Sequence, residues 1–393
     1  MSDKPFPPIL QFGTSRFLQA HVDLFVSQAL ERGAALGTIA VVQSTESPAS
    51  SARTAALASG TPYRVLIQGV DNGQVVEQSL SVSAISHALH AAEQWPELRL
   101  GFVEQVKVVV SNTGDRGYQL DAHDTPALLA EDVPAPISFP AKLLVLLHDR
   151  WQHNPHAPLS LFPCELVARN GDVLRDLLVD LARDWALGSA FEAYLTHHCR
   201  WANSLVDRIV SQALEPVGAV AEPYALWAIE RQEGLVLPCS HEAIVLTDDL
   251  DHYERLKLFT LNLGHSYLAE RWLSDARPEH ETVYQAMQSP ALRADLETLW
   301  ASEVLPVFAA LGQFDAAQRY VDSVRERFAN PFLQHRLADI ASNHEDKKKR
   351  RLLPLVELAE QVAPNLEQPM LRATLHLSAL AGRRSEVTCP QRS

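Results

Sequence analysis

Cysteine is sparse in this chain, and its spacing builds nothing. The four cysteines among 393 residues, Cys164, Cys199, Cys239 and Cys389, include no CxxC pair. That argues against a disulfide scaffold and fits free thiols in a reducing compartment. No apolar run approaches the ~18 residues a membrane-spanning helix needs. Met1 to Pro8 has no charged stretch followed by an apolar one, so the expectation is a cytoplasmic protein without a secretory signal. Positive charge is also short: 34 Lys and Arg stand against 48 Asp and Glu, a formal net charge of −14. This excludes broad binding to nucleic acid or to an anionic membrane. Metal-ligand clusters are missing as well. His197-His198-Cys199 and His241 are the only candidates, and adjacent histidines point apart on a helix or a strand, so no metal is expected. With 47% hydrophobic residues, the chain can fill two packed domains. No coiled-coil pattern demands assembly, and a monomer or small homo-oligomer is expected.

Glycine is thin where it would be most informative. Pro8-Ile9-Leu10-Gln11-Phe12-Gly13 reads as a short buried strand ending in glycine. Thr14-Ser15-Arg16 follows, then an apolar-periodic helix through Phe17, Leu18, Val22, Phe25, Val26 and Leu30, closed by Gly33 and Gly37. Thr38 to Val42 supplies a second buried strand. Strand–turn–helix–strand units of this kind bind dinucleotides. Gly13 would let the backbone approach a pyrophosphate, and the opening of the helix at Thr14, Ser15, Arg16 and Phe17 would stabilise its charge. Yet only Gly13 remains of a G-x-G-x-x-G fingerprint, with Ser15 and Leu18 at the second and third positions. A generic α/β turn explains that much as well. No acidic residue ends the second strand, where Gln43 and Ser44 stand. The ribose acceptor is absent or lies elsewhere, as at Glu46, and these residues do not choose between NAD and NADP.

Further strands are expected at 62–68 and 74–77, flanking the hairpin signal Asp71-Asn72-Gly73 with a bulge-competent turn. Lys107 to Thr113 is an apolar strand running into Ser111, Asn112 and Thr113. Ligands gather at the carboxyl ends of strands in an open parallel sheet, so these three are placed to line a cofactor cleft, although a polar turn capping a strand explains them equally. Leu159 to Cys164 reads as another strand, delivering Glu165 and then Asn170-Gly171-Asp172, a turn that starts a helix. Phe191–Cys199 and Leu205–Val210 read as helical or loop segments. The neighbouring Asp207-Arg208 is either a structural salt bridge or a catalytic pair.

After residue 248 strand patterns stop, and helical periodicity runs through 254–273, 281–311, 314–328, 331–342, 350–363 and 368–382. Lys257, Asn262 and His265 fall at i, i+5 and i+8 in the first of these helices. At roughly 100° per residue, Lys257 sits at 0°, Glu254 near 60°, His265 near 80° and Asn262 near 140°. Leu256, Phe259 and Leu263 lie opposite, between about 200° and 260°, so the helix is amphipathic. Its polar wedge combines a base, an amide donor, an imidazole and a carboxylate, the parts needed to hold an oxyanion and move a proton as an alcohol and a ketone interconvert. Such a helix at a domain junction is a natural substrate site, its polar face expected to point at the sheet's cleft. The basic run Lys347-Lys348-Lys349-Arg350-Arg351 is either a solvated helix face or, in part, anion-facing.

Several of these stretches resemble one family. Gln11-Phe12-Gly13-Thr14-Ser15-Arg16-Phe17-Leu18-Gln19-Ala20-His21 is similar to the first turn of the mannitol dehydrogenase family, the long-chain polyol and uronate dehydrogenases. Ser111-Asn112-Thr113, Pro163-Cys164-Glu165-Leu166 with Arg169-Asn170-Gly171-Asp172, Leu205-Val206-Asp207-Arg208-Ile209, the Lys257/Asn262/His265 set and Arg327-Phe328-Ala329-Asn330-Pro331 follow in that family's order. The resemblance spans residues 9 to about 381. It implies an α/β fold, with a Rossmann-like NAD-binding domain over 1–248 followed by an all-α substrate domain over 249–393. It implies NAD as cofactor, with NADP left open, and no metal. Lys257 resembles the family's general acid/base, Asn262 and His265 the groups that bind the reacting oxygen, and Glu254 a carboxylate of the proton path. Asp207 matches a pocket aspartate and Arg327 a substrate-holding arginine.

One departure selects a branch. Mannitol-type members carry an Asp-Asn pair where Glu165-Leu166 stands. That stretch, Ser111–Thr113 and Arg327–Pro331 look closest to the tagaturonate reductases (altronate oxidoreductases), which reduce a keto-uronate with NADH. A carboxylate substrate wants a cation, and Arg327, Lys347 or Arg16 would supply it. Against this, Arg16 to His21 is nearer the polyol members, and the chain is shorter than typical uronate reductases, with loops trimmed between 210 and 248. The expected ligand is therefore a sugar acid or a polyol. A non-catalytic sugar- or nucleotide-sensing relative is the contrasting reading, favoured by the thinned glycines and opposed by the intact Lys, Asn and His.

Overall fold

The computed structural model describes residues 5–45, 48–114 and 117–376. Glu46 and Cys389 lie outside them, as does the end of the last expected helix. Two compact units divide the chain, Met1–Glu254 and Arg255–Ser393.

The first unit opens with β1 (Ile9–Phe12), a short α1 (Arg16–Gln19), α2 (Val22–Glu31), β2 (Ile39–Gln43) and α3 (Pro48–Ala58). Next come β3 (Tyr63–Asp71), β4 (Gln74–Val82), β5 (Ile85–His90), α4 (Trp95–Glu104) and β6 (Val108–Ser111). After α5 (Phe139–His153), β7 (Leu159–Pro163), α6 (Asn170–Asp184) and α7 (Ser189–His197), the chain ends the main sheet with β8 (Cys199–Trp201). That sheet has six strands in the order β5-β2-β1-β6-β7-β8, and every pairing in it is parallel. The direction of winding reverses between β1 and β6, whose carboxyl ends carry Gly13 and Ser111. This is the doubly wound, Rossmann-type arrangement, with its switch point at the sequence-marked turn. β1, β2, β6 and β7 are buried along their whole length, which is why they read as unbroken apolar runs rather than alternating ones.

The β3–β4 hairpin turns through Asn72-Gly73 alone, both at positive φ, a tight two-residue loop without a bulge. Residues 205–210, expected as helix or loop, are mostly strand, with Arg208 and Ile209 the connection between two strands. The two are β9 (Ser204–Asp207) and β10 (Val210–Ala213), paired with β12 (Leu226–Glu230) and β11 (Gly218–Ala221) respectively. β13 (Ile244–Thr247) completes the small sheet β13-β12-β9, and β10-β11-β3-β4 forms the other. Four-residue strands carry too little periodicity to be recognised alone; distant partners decide them.

The second unit is helical. α8 (Leu250–Leu256) leads into a six-residue π-helical segment, Lys257–Asn262, and then α9 (Leu263–Ser274). The expected 281–311 helix is broken into α10 (Val283–Met287), α11 (Pro290–Leu299), a second π segment Trp300–Val304, and α12 (Leu305–Ala310). Pro290 and Pro306 stand in the first turns of α11 and α12, where proline is tolerated. α13 (Phe314–Phe328) follows as expected. Residues 331–342 are helical only in α14 (Leu337–Ile340), and the basic run lies in α15 (His344–Arg351) ahead of α16 (Leu353–Val362) and α17 (Pro369–Thr374).

Gly13 is a tight backbone crossing in the first unit. Its φ is +116°, and a Cβ there would stand 2.6 Å from the carbonyl oxygen of Asn112. Gly13→Ala is therefore expected to destabilise this unit by about 1–3 kcal/mol or more, combining left-handed strain with overlap. Gly33 also has positive φ but meets nothing within 4 Å, so Gly33→Ala should cost less. Urea unfolding of both variants, followed by a probe in the first unit, measures the difference; equal midpoints would contradict the close crossing.

Candidate functional site

At the carboxyl end of β1 the Gly13 amide bonds back to Val42 O at 3.1 Å, which bends the chain out of the sheet. Ser15 caps α1, its hydroxyl accepting from Leu18 N at 3.3 Å. The amides of Arg16 and Phe17 have no acceptor among the described residues, as expected for the first turn of a helix. A backbone with two open amides and no Cβ at Gly13 fits a dinucleotide pyrophosphate. Arg16 itself is exposed, while Thr14 is buried.

Ser111, Asn112 and Thr113 do stand at the carboxyl end of β6, but their polar atoms are largely committed. The buried Glu165 carboxylate accepts from Ser111 Oγ at 3.0 Å, Thr113 N and Oγ1 at 2.9 Å each, and Tyr118 OH at 3.3 Å. Asn112 Nδ2 donates to Cys164 O at 2.8 Å. These four donors satisfy the buried carboxylate among the described residues. Asn170, 1% exposed, is a second hub: its Nδ2 donates to Pro163, Glu165 and Ser204 carbonyls, and its Oδ1 accepts from the amides of Gly171 and Ser204. These two side chains hold the strand-end loops that glycines alone do not explain. Asp207 is buried at the end of β9. The adjacent Arg208 guanidinium donates to Glu222 O and Ala20 O, and burial pulls its pKa down to about 10.

The Lys257 segment departs from the expected wheel. Leu263 N bonds to Leu258 O, five residues back. In a turn closed that way residues at i and i+5 stack along the axis, so Lys257 and Asn262 fall nearly in line instead of about 140° apart as in an α-helix. The widened turn disturbs the regular ladder, and side chains bind the displaced carbonyls. Thr260 Oγ1 donates to Leu256 O at 2.5 Å, and Trp300 Nε1 reaches Thr260 O at 3.4 Å. The Asn262 amide makes no hydrogen bond to the described residues, which leaves it open to a ligand.

His265 lies one turn on, 5% exposed. Its ring stacks on Phe328 with centroids 4.5 Å apart and meets His335 edge-on at 4.7 Å. Gly264 permits this approach: a Cβ there would crowd Phe328 and Trp300 at 3.1 and 3.2 Å. His265 Nε2 is buried without a hydrogen-bond partner among the described residues. Burial holds the imidazole well below the ordinary histidine range, and His335, Arg351, Arg327 and Lys257 push the same way. His335 is lowered to about 4 by burial, with Arg351, Lys347 and Arg327 assisting and Asp339 opposing. Burial thus keeps both imidazoles neutral, with nearby cations pushing the same way. Arg327, 5% exposed at the end of α13, donates to Tyr320 OH at 3.3 Å. Lys347 Nζ donates to Ile340 O at 2.8 Å and Ser342 Oγ at 3.3 Å. Glu254 lies on α8, three residues before the π segment begins.

The basic run is not uniformly solvated. Lys348 is 1% exposed, its ammonium between Glu270 at 2.9 Å and Glu345 at 2.8 Å, with His344 Nε2 also on Glu270. Helix phase and a half-buried carboxylate on α9, Glu270, chose that lysine. Glu270, Glu345 and His376 come within metal-binding reach of one another, but the Lys348 ammonium already bridges the two glutamates. Of the sequence candidates for a metal, His241 is hydrogen-bonded to Gln28 and stacked on Phe25, while His198 stacks on Tyr194.

A parallel sheet with its nucleotide turn at the switch point, followed by a helical unit, defines a Rossmann-type oxidoreductase. Residues 7–236 match the model of the mannitol dehydrogenase Rossmann domain, and 249–377 that of the mannitol dehydrogenase C-terminal domain. The chain belongs to the mannitol dehydrogenase family: it is a dehydrogenase acting on CH–OH groups with a nicotinamide cofactor. Its relatives include altronate oxidoreductases from Bacillus subtilis, 31% identical over 90% of this chain and 75% of theirs, and from Halalkalibacterium halodurans, 30% identical over 88% and 69%. Among solved structures, D-sorbitol dehydrogenase superposes with a TM-score of 0.78 at 20% identity, covering 95% of this chain and 80% of that one. Pseudomonas fluorescens mannitol 2-dehydrogenase, in ternary complex with NAD and D-mannitol, gives 0.74 at 18%, covering 94% and 78%. These two share the fold.

Sequence reasoning did not single out His335 or Arg351. His335 sits in an irregular stretch without periodicity, and Arg351 was one of five consecutive bases; only packing separates it from its neighbours. The depressed imidazoles make a pH prediction. A histidine whose folded pKa lies below its unfolded value, about 6.5, leaves the unfolded chain holding more protons, so stability is lost as pH falls. For His335 the loss runs from about pH 6.5 down to about 4, with a slope of at most about 1.4 kcal/mol per pH unit. Imidazole NMR titration should find both rings neutral at pH 6; a normal titration of His265 would contradict its placement.

Proposed function

We propose that the chain interconverts a keto-hexuronate and its aldonate (tagaturonate and altronate, or fructuronate and mannonate) with NAD(H), using Lys257 as general acid and base and no metal. The observation that carries this is geometric: His265 is packed between Phe328 and His335 with its Nε2 unpartnered among the described residues, and the Arg351 guanidinium reaches Ser266 Oγ next to it at 3.3 Å. A guanidinium beside neutral imidazoles suits an anionic substrate better than an uncharged polyol. The altronate oxidoreductase relatives support the same reading.

In reduction, Lys257 gives its proton to the ketone oxygen while the Asn262 amide donates to that oxygen; in oxidation Lys257 takes the proton back. His265, neutral and fixed by Phe328, offers an N–H to the same oxygen, and Glu254 passes the proton onward. Arg327 and Lys347 hold the substrate, and Asp207 supports its pocket. Gly13, Thr14, Ser15, Arg16 and Phe17 hold the dinucleotide, with Ser111, Asn112 and Thr113 shaping the adjoining strand end. When bound, the nicotinamide supplies or accepts the hydride at the carbinol carbon. The buried free thiols of Cys164, Cys199 and Cys239 support a cytoplasmic location.

A polyol of the mannitol or arabinitol type is the second reading, favoured by the turn Arg16–His21. Absorbance at 340 nm with NADH and NADPH over a panel of keto-uronates and ketoses tests both. Keto-uronates should be preferred, NADH should be the better donor, and chelator should leave the rate unchanged. NADH binding without turnover on any substrate would favour a sensor. Lys257→Ala is expected to reduce kcat by about 10²–10⁴-fold while leaving NADH affinity nearly intact; near-normal turnover would defeat the mechanism.

A further inference from the structure

Arg351 is a half-buried guanidinium with almost nothing to bind. It ends α15, and burial, aided by the charge of Arg350, depresses its pKa. Among the described residues its one hydrogen bond goes from Nη1 to Ser266 Oγ at 3.3 Å, and no carboxylate pairs with it. Neighbouring bases are treated differently: Lys348, in the same helix, is bridged to Glu270 and Glu345. A guanidinium has five N–H donors in a planar fork, and removing one from water without a counter-ion is costly. The residue it touches, Ser266, follows His265 in the chain, and its charge acts on both His265 and His335. His265 is 5% exposed, and its Nε2 has no partner among the described residues. The guanidinium and the two imidazoles therefore leave donors unused, and no acid among the described residues pairs with the guanidinium.

We propose that Arg351 is the carboxylate-binding residue of the substrate site, its fork taking the two oxygens of a sugar acid's terminal carboxylate, and that His335 and His265 form the neutral wall against which that end of the substrate is placed. The proposal rests on the keto-uronate reading above and deepens it: Arg351 is the residue that separates an acid from the sugar lacking that group. A planar fork matches a carboxylate in two parallel hydrogen bonds, and the low-dielectric surroundings strengthen them. Neutral imidazoles add donors without adding charge.

The test compares each acid with its uncharged counterpart, D-tagaturonate with D-tagatose and D-fructuronate with D-fructose, using NADH and the full chain. In Arg351→Met, the ratio of kcat/KM for the acid to that for the ketose should fall about 10- to 100-fold, mainly through a higher KM for the acid. Arg351→Lys keeps the charge but loses the fork, and its ratio should fall by less; it also decides the matter if the methionine variant fails to fold. The KM for NADH should stay within about twofold, since loss of one bidentate contact to the sugar does not touch the dinucleotide. An unchanged acid-to-ketose ratio in variants of a wild type that prefers the acid overturns the subsite alone. A raised KM for NADH with an unchanged ratio also overturns it, because the guanidinium would then serve the dinucleotide phosphates. A wild type that prefers ketoses removes the keto-uronate reading and the subsite with it.

Discussion

A helical turn closed by i→i+5 hydrogen bonds holds one more residue than an α-turn, and at Lys257–Asn262 that extra residue decides which side chains share a face. It brings the lysine and the asparagine into line and carries His265, one turn later, onto Phe328 and His335. Without it, the lysine and the amide would diverge by more than a third of the helix circumference. The widened turn persists because its carbonyls are bound by Thr260 and Trp300. Trp300 itself opens the second π segment, so the two irregular turns of this unit support each other. π-turns concentrate at functional sites for this kind of reason: the backbone irregularity costs stability and is retained where it aims a side chain.

Around that turn burial decides the electrostatics. It keeps two imidazoles neutral, with nearby cations pushing the same way, which makes them hydrogen-bonding groups rather than charges. The contrast with Lys348 is instructive. A few residues away in the same helix, a buried ammonium is paired with two glutamates and has a structural task, whereas Arg351 is not paired with any acid of the described chain.

In the first unit, polar side chains do work that the missing glycines might have been thought to preclude. Gly13 alone keeps the close crossing with Asn112, and the loops beyond β6 and β7 are tied by the Glu165 carboxylate and the Asn170 amide. Both hubs are fully satisfied by hydrogen bonds, and in a buried position that is what makes a polar group rigidifying instead of costly.

The amino-acid sequence by itself determined the parallel sheet, the position of its nucleotide turn and the change to helices near residue 250, because long buried runs and sustained helical periodicity are local signals strong enough to survive any context. It also marked Lys257, Asn262, His265, Asp207 and Arg327. It missed the strands at 204–207 and 210–213, reading 205–210 as helix or loop, since strands of four residues exist only through partners elsewhere in the chain. It placed Lys257 and Asn262 on an ideal wheel, since a π-turn leaves no periodic trace. Which base of the run 347–351 is buried and paired, which stays unpaired, and which histidine meets His265 were decided only by tertiary packing: these are properties of distances between segments that the sequence keeps far apart.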